Sequence, residues 1–390
     1  MRTGRQYSML RKFIAPEILF GNGARKRLAD YLATLRIGKL LLVSDPGLRE
    51  AGWTDEIEDD LKAAGIGFAI WEEVSPNPRY DQVNRGAEAY LSERCDMIVA
   101  LGGGSPMDAA KGIGIVASNG GDIRDYEGVD RIPAPMPPTI FIPSTAGTAA
   151  DLSQFAIINN DEERYKMAII SKSIVPDVSL MDPDITMTMD PDLTAATGLD
   201  ALTHAFEALA STGGGPMTDL YALEAISLVG ENLVAAVRDG SDAAARERMC
   251  RASGFAGLAF SNASLGAVHA MAHSLGGYLD KPHGECNALL LETVISRNFP
   301  EAAEAYRRAA GAMGLPNGPA VSDDDVRNAI LEKLNGLRRD VGMDHGLASL
   351  GVNEDAIPTL AEKAASDPCL LTNPMTLGTD ELEEMFRIAL

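Results

Sequence analysis

The chain has 390 residues, 46% of them hydrophobic and 23% charged, with a formal net charge of −22. That length exceeds what one small core needs and predicts two domains. The acidic balance excludes nucleic acid and anionic membrane as partners, because both would repel the chain.

Four cysteines, Cys95, Cys250, Cys286 and Cys369, stand far apart with no C-x-x-C pair. Neither a disulfide framework nor a cysteine zinc site is expected, and a reducing cytoplasm fits. The first twenty residues carry basic charges but no long apolar stretch, so no signal peptide is predicted. No run is expected to reach the roughly 18 apolar residues of a membrane span.

In chain order, KLLLVSD (39–45) reads as a buried strand ending in a turn at DPG, TDEIEDDLKAAGI as a helix and GFAIWEEV (67–74) as a second strand. YDQVNRGAEAYLSERC is an amphipathic helix, DMIVALGGGS (96–105) a strand into a glycine turn, PMDAAKGIGIVAS a helix and PTIFIPST (138–145) another strand. Such alternation predicts a parallel sheet covered by helices. MDPDITMTMDPDL (181–193) reads as a junction, and beyond it five alanine- and leucine-rich segments have helical period. The expected domains are therefore an α/β unit over 1–188 and a helical unit over 189–390.

VALGGGSPMDAAK (99–111) is the clearest nucleotide signal. A strand runs into three glycines and a helix opens at once, with Ser105 as the expected N-cap and Pro106 as the first helical residue. Glycines admit a pyrophosphate close to the backbone, and a helix N-terminus offers free N–H groups. A plain strand-to-helix turn that binds nothing has the same look. Asp45 can accept hydrogen bonds from a ribose and would repel a 2′-phosphate, favouring NAD over NADP, although it also suits an ordinary turn before Pro46 and Gly47. Ser144, Thr145 and Thr148 in PSTAGTAAD (143–151) offer hydroxyls at a third strand end.

Of five histidines, four fall between His204 and His283. Asp200 and His204 are four apart, as are His269 and His273, so each pair shares a helical face. His283 lies in a Pro-Gly turn, and His345 reads as ordinary. Any one of these suits a satisfied core histidine. Together, one Asp and three His suit a divalent first-row metal such as iron or zinc.

Taken in this order, GGGSPMDAAK, PSTAGTAAD, TGLDALTHAFEA, AVHAMAHSLGG and PHGECNA make the sequence resemble the iron-containing (group III) alcohol dehydrogenases along nearly its whole length. The resemblance implies a dehydroquinate synthase-like fold: an α/β dinucleotide-binding domain with a parallel sheet, then an all-α metal-binding domain, with the active site in the cleft between. By motif it implies Asp200, His204, His269 and His283 as ligands of Fe2+, or of Zn2+, with His273 as an extra histidine beside them. It implies NAD held by Gly102, Gly103, Gly104, Ser105 and Asp108, with Ser144, Thr145 and Thr148 along the cofactor. Asp45 matches the position associated with NAD preference, and Asn77 and Lys166 match the cofactor groove.

The implied activity is hydride transfer between NAD(H) and a small primary alcohol or aldehyde, in a homodimer or larger homo-oligomer. The released proton has candidate routes through His273 or through a ribose hydroxyl and water. Reduction of a functionalised aldehyde or polyol, of the lactaldehyde, 1,3-propanediol or sulfoacetaldehyde type, would use the same site. A regulator that senses NADH or alcohol without turnover is a different class, and it has no need of an open metal position. Departures from the family pattern are Ser144 for a commoner threonine, Asp151 for glutamate and Met375 for arginine. The last leaves the substrate open.

Overall fold

The computed structural model describes residues 12–390 apart from Arg36 and Arg164. It divides into two compact units, residues 15–189 and residues 190–390, the described residues 12–14 belonging with the second. That last point departs from the expected boundary. Asn262 in the helical unit accepts from Ile14 N at 2.7 Å and donates to Ile14 O at 3.0 Å, and Phe13 stacks on Tyr221.

The first unit contains β1 (Glu17–Phe20), α1 (Leu28–Leu35), β2 (Lys39–Val43), α2 (Pro46–Glu50), α3 (Trp53–Ala63), β3 (Gly67–Trp71), α4 (Tyr80–Ser92), β4 (Met97–Gly102) and α5 (Gly104–Asn119). It continues through β5 (Gly128–Val129), β6 (Thr139–Pro143), β7 (Phe155–Asn160), β8 (Tyr165–Ile170) and β9 (Val178–Met181). Six strands form a sheet in the order β1-β9-β6-β4-β2-β3, every neighbouring pair parallel. The middle strands are apolar throughout because both faces are covered. Leu41, Val43, Ile98, Ala100 and Phe141 pack into one core, while Leu40, Leu42, Met97, Val99 and Ile140 pack into another.

The chain leaves β2 for β3 on one side, then returns past β2 to lay β4 on its other side. Strand order therefore reverses between β2 and β4, and ligands of open α/β sheets bind beyond the carboxyl ends at such a point. Three features were not expected from the sequence: β1, β9 and a second sheet, β5-β8-β7, built on an antiparallel β7–β8 hairpin.

The second unit is helical: α6 (Pro191–Ala210), α7 (Pro216–Arg238), α8 (Ala243–Ala263), α9 (Ala267–Leu279), α10 (His283–Ala312), α11 (Asp323–Asp340), α12 (Ile357–Ala365) and α13 (Thr379–Ala389). Asp190 caps α6 by accepting from Leu193 N at 2.7 Å, so the expected junction ends in a helix start. Every residue from Thr194 to Ala210 is buried, because α7, α8 and α10 all pack on α6. A Cβ at Gly284 would lie 2.3 Å from Ala196 O and 3.2 Å from Asp200 Cβ, so only glycine admits α10 this close to α6.

One expectation about apolar runs needs correction. Helix α7 is long and apolar enough, by length and composition, to cross a membrane. It packs against α6 and α8, and its buried Asp219 pairs with Arg308.

Candidate functional site

The glycine turn follows from crowding. Gly102 has φ +157°, and a Cβ there would lie 2.5 Å from Pro106. Methyls added at Gly103 and Gly104 would meet Thr145 and Thr148 at 3.0 Å each. Ser144 N donates to Gly102 O at 2.8 Å. The structure thus brings Gly102, Gly103, Gly104, Ser144, Thr145 and Thr148 together where β4 and β6 end.

Helix α5 opens at Gly104 with Gly103 as its N-cap, so Ser105 is not the cap and Pro106 is not the first helical residue. Gly103 has no side chain to satisfy the first-turn N–H groups, which suits an anion. Ser105 Oγ instead accepts from Asn77 N at 3.2 Å. Asn77, in the left-handed region at φ 57°, accepts through Oδ1 from Lys166 Nζ at 2.7 Å. Ser105, Asn77 and Lys166 therefore form one chain of contacts. Asp108 is occupied differently, its Oδ2 accepting from Ile157 N at 3.2 Å. Asp45 caps α2, its Oδ1 accepting from Leu48 N at 3.0 Å, and burial raises its pKa. The ordinary turn role for Asp45 is present, at the carboxyl end of β2.

Sequence reasoning passed over Lys111, in the same motif. It is fully buried, and its Nζ donates to Ser153 O (3.0 Å), Ser153 Oγ (3.2 Å) and Phe155 O (2.6 Å). An ammonium has three N–H groups, and all three have acceptors. Burial pushes Lys111 down to about 8, against the pull of Asp108 and Asp151. Asp151 is also buried, accepts from Ser179 Oγ, and is pushed up by burial. This knot ties α5 to β7.

In the helical unit, Asp200, His269 and His283 each turn one ligand atom inward, and the three atoms lie within 4.8 Å of one another. His204 adjoins them. Its Nε2 is 3.9 Å from Asp200 Oδ1, and its ring stacks between Phe260 at 4.2 Å and His269 at 4.6 Å. The pairs Asp200/His204 and His269/His273 share faces of α6 and α9 as the spacing predicted. His283 departs from expectation: it is the first residue of α10, after Pro282, and not part of a turn. Its face is shared by Asn287, four residues on. Asn287 Nδ2 donates to Asp200 Oδ1 at 2.6 Å and faces His269 Nε2 at 3.2 Å and His283 Nε2 at 3.1 Å.

Glu207 is the other residue the sequence reading missed. It is buried on α6 and accepts from Gly266 N (3.1 Å) and Val268 N (2.6 Å), capping α9. It also lies 2.6 Å from His269 Nδ1. That contact places the imidazole proton on Nδ1 and leaves Nε2 as a lone-pair donor. Burial pushes His269 down to about 3, so its ring is neutral, and pushes Glu207 up to about 7. Asn373 completes the cap, accepting from Ala267 N at 3.1 Å and donating to Met375 O at 2.7 Å.

His273 is oriented in the same manner, its Nδ1 2.8 Å from Asp367 Oδ2. Burial works to raise the Asp367 pKa, but His273 and hydrogen bonding from Cys369 more than offset it, holding Asp367 below its usual range. His345 pairs with Glu285 at 3.0 Å. One carboxylate oxygen and neutral imidazole nitrogens on a tautomer-fixing carboxylate are a donor set that fits a divalent first-row cation. The buried Asn287 Oδ1, without a hydrogen-bond partner among the described residues, marks the cluster as short of donors.

A parallel sheet with a glycine turn at its switch point, in one chain with a helical unit holding a buried carboxylate–imidazole cluster, defines a two-unit dehydrogenase. The chain belongs to the iron-containing alcohol dehydrogenase family. Residues 15–183 match the model described as iron-containing alcohol dehydrogenase, and residues 194–390 match the C-terminal model of the Fe-containing alcohol dehydrogenase family.

The chain is 41% identical over 377 residues to alcohol dehydrogenase 4 of Saccharomyces cerevisiae, covering 97% of each chain. It is 35% identical over 378 residues to an NAD-dependent methanol dehydrogenase of Bacillus methanolicus, covering 97% of this chain and 99% of that one. Among solved structures, a 1,3-propanediol oxidoreductase is similar with a TM-score of 0.94 and 40% identity, over 98% of this chain and 100% of the other. The protein is an oxidoreductase of this family.

Proposed function

We propose that the protein interconverts a small primary alcohol and its aldehyde using NAD(H), with a divalent metal, Fe2+ or Zn2+, held by Asp200, His204, His269 and His283. The observation that carries this reading is the convergence of Asp200, His269 and His283 on one point, with Glu207 fixing which nitrogen of His269 faces it. A cation held there would supply Lewis acidity toward an alcohol or carbonyl oxygen, and NAD would supply the hydride acceptor.

The chain's own residues supply the rest. The N–H groups opening α5 and the hydroxyls of Ser144, Thr145 and Thr148 would bind the cofactor phosphates and line its path. The Lys166–Asn77–Ser105 chain would hold the loop beside that turn in place. Asp367 keeps the proton of His273 on Nδ1, which leaves Nε2 able to accept one. The similarity to an NAD-dependent methanol dehydrogenase and to a 1,3-propanediol oxidoreductase favours short alcohols and diols as the substrate class.

The same reading makes the partner a small molecule and the assembly at least a homodimer. It puts the protein in the cytoplasm, in keeping with four buried cysteines that form no disulfide. The test is anaerobic purification with elemental analysis, then NADH oxidation against a panel of short aldehydes. About one metal per chain, with turnover lost on chelation and restored by metal, is the expected result. Full turnover in metal-stripped protein would overturn the metal role, and cofactor binding without turnover on any aldehyde would favour a sensor.

A further inference from the structure

Asn287 stands one helical turn beyond His283 on α10 and turns its amide toward the atoms that make the candidate cation site. Nδ2 lies 2.6 Å from Asp200 Oδ1, 3.2 Å from His269 Nε2 and 3.1 Å from His283 Nε2. A carboxylate oxygen that close demands a donor, so the nitrogen is the inward atom. The carbonyl Oδ1 is left buried without a hydrogen-bond partner among the described residues. Two N–H groups face three acceptors, so one acceptor is always left short.

The imidazole chemistry sharpens the conflict. A neutral ring nitrogen has one lone pair, which accepts a hydrogen bond or binds a cation but not both. Glu207 holds the proton of His269 on Nδ1, so Nε2 has only that lone pair to give. His283 Nε2 faces the same amide at 3.1 Å, and as an acceptor from that donor it too has one lone pair to give.

We infer that Asn287, anchored on Asp200, competes with the cation for the lone pairs of His269 and His283, and so sets metal affinity from within the ligand cluster. This rests on the metal reading proposed above. Loading requires that the amide leave the two imidazole nitrogens, each of which has a single lone pair, and depletion lets the amide turn fully to the cluster, where it holds the charge of Asp200. A residue that only oriented the ligands would act with the opposite sign, since losing such a partner typically weakens metal binding roughly 10- to 100-fold.

The test compares full-length wild type with Asn287→Ala and Asn287→Leu, each stripped by chelation. The proteins are titrated with Zn2+ against a chromophoric chelator and melted with and without Zn2+. Both variants should bind Zn2+ at least about tenfold more tightly than wild type. Both should also gain more in Tm on adding Zn2+, because depletion leaves Asp200 without its donor. Asn287→Leu fills the space that alanine vacates, so it separates the lost hydrogen bonds from a cavity, and it alone decides if the alanine variant does not fold. Binding that is unchanged or weaker in either folded variant overturns the competition. A wild-type protein that takes up no Zn2+ and shows no Tm change would overturn the metal reading itself, a distinguishable failure.

Discussion

Two buried polar clusters, one in each unit, differ in how their demands are met. Around Lys111 every N–H group of the ammonium has an acceptor, two of them backbone carbonyls. Around Asp200 the acceptors outnumber the donors, and an amide oxygen is buried without a hydrogen-bond partner among the described residues. The first arrangement is closed and serves the fold. The second has lone pairs aimed at one point and is poised to take a cation. Burial of charge alone does not mark a site; an imbalance of acceptors over donors does.

Substitutions should separate the two clusters cleanly. Replacing His269 by Ala removes a ligand atom outright, so turnover should fall by more than the roughly 100-fold that loss of an outer partner costs. Bound metal, read by elemental analysis, should fall in step while the circular dichroism spectrum stays native. Full metal content in that variant would break the comparison.

Lys111→Met should do the reverse. It strands Ser153 O, Phe155 O and the carboxylate of Asp151, at a cost of about 3–5 kcal/mol in urea unfolding, with metal affinity unchanged. The pH dependence has a definite sign. Burial lowers Lys111 from its usual 10.5 to about 8, so between those values the unfolded chain binds the extra proton and the folded chain does not. Wild-type stability relative to the Met variant should therefore rise from pH 8 to 10.5, by up to about 3 kcal/mol, and be lost again on descending through 8. A flat difference across that window would mean that burial does not lower the Lys111 pKa.

Glu207→Gln keeps the shape but weakens the hold on the His269 tautomer, and should reduce metal affinity roughly 10- to 100-fold in a chelator competition. Asp367→Asn should have the smallest effect. Turnover should fall roughly tenfold, below the roughly 100-fold that removing a general acid–base group costs, with metal content intact. Loss of metal in that variant would assign Asp367 to the metal cluster instead of to His273.

Much of this was visible in the sequence, and the reasons for the gaps are physical. β2, β4 and β6 were legible because strands buried on both faces are apolar without interruption. β1 and β9 are four-residue strands too short to show a period, and the β7–β8 hairpin turns without the Asn-Gly or Asp-Gly signal. The paired spacings of Asp200 with His204 and His269 with His273 gave half the cluster. The same rule reaches Glu207 from His204, and it reaches Asn287 from His283 once His283 is known to open a helix. Glu207 was hidden further, since its job depends on α9 beginning beside it. A lysine carries no sequence signal of burial, and only the packing of β7 against α5 shows that Lys111 is enclosed.

The dual attachment of Glu207 has an evolutionary consequence. The carboxylate that fixes His269 also caps α9, so selection on folding and selection on chemistry act on one side chain. A descendant that discarded its histidines would still need that cap to start the helix. Retention of this glutamate in a histidine-poor relative is thus a fossil of folding, and the histidines and Asp200 are the positions whose drift would record the loss of catalysis.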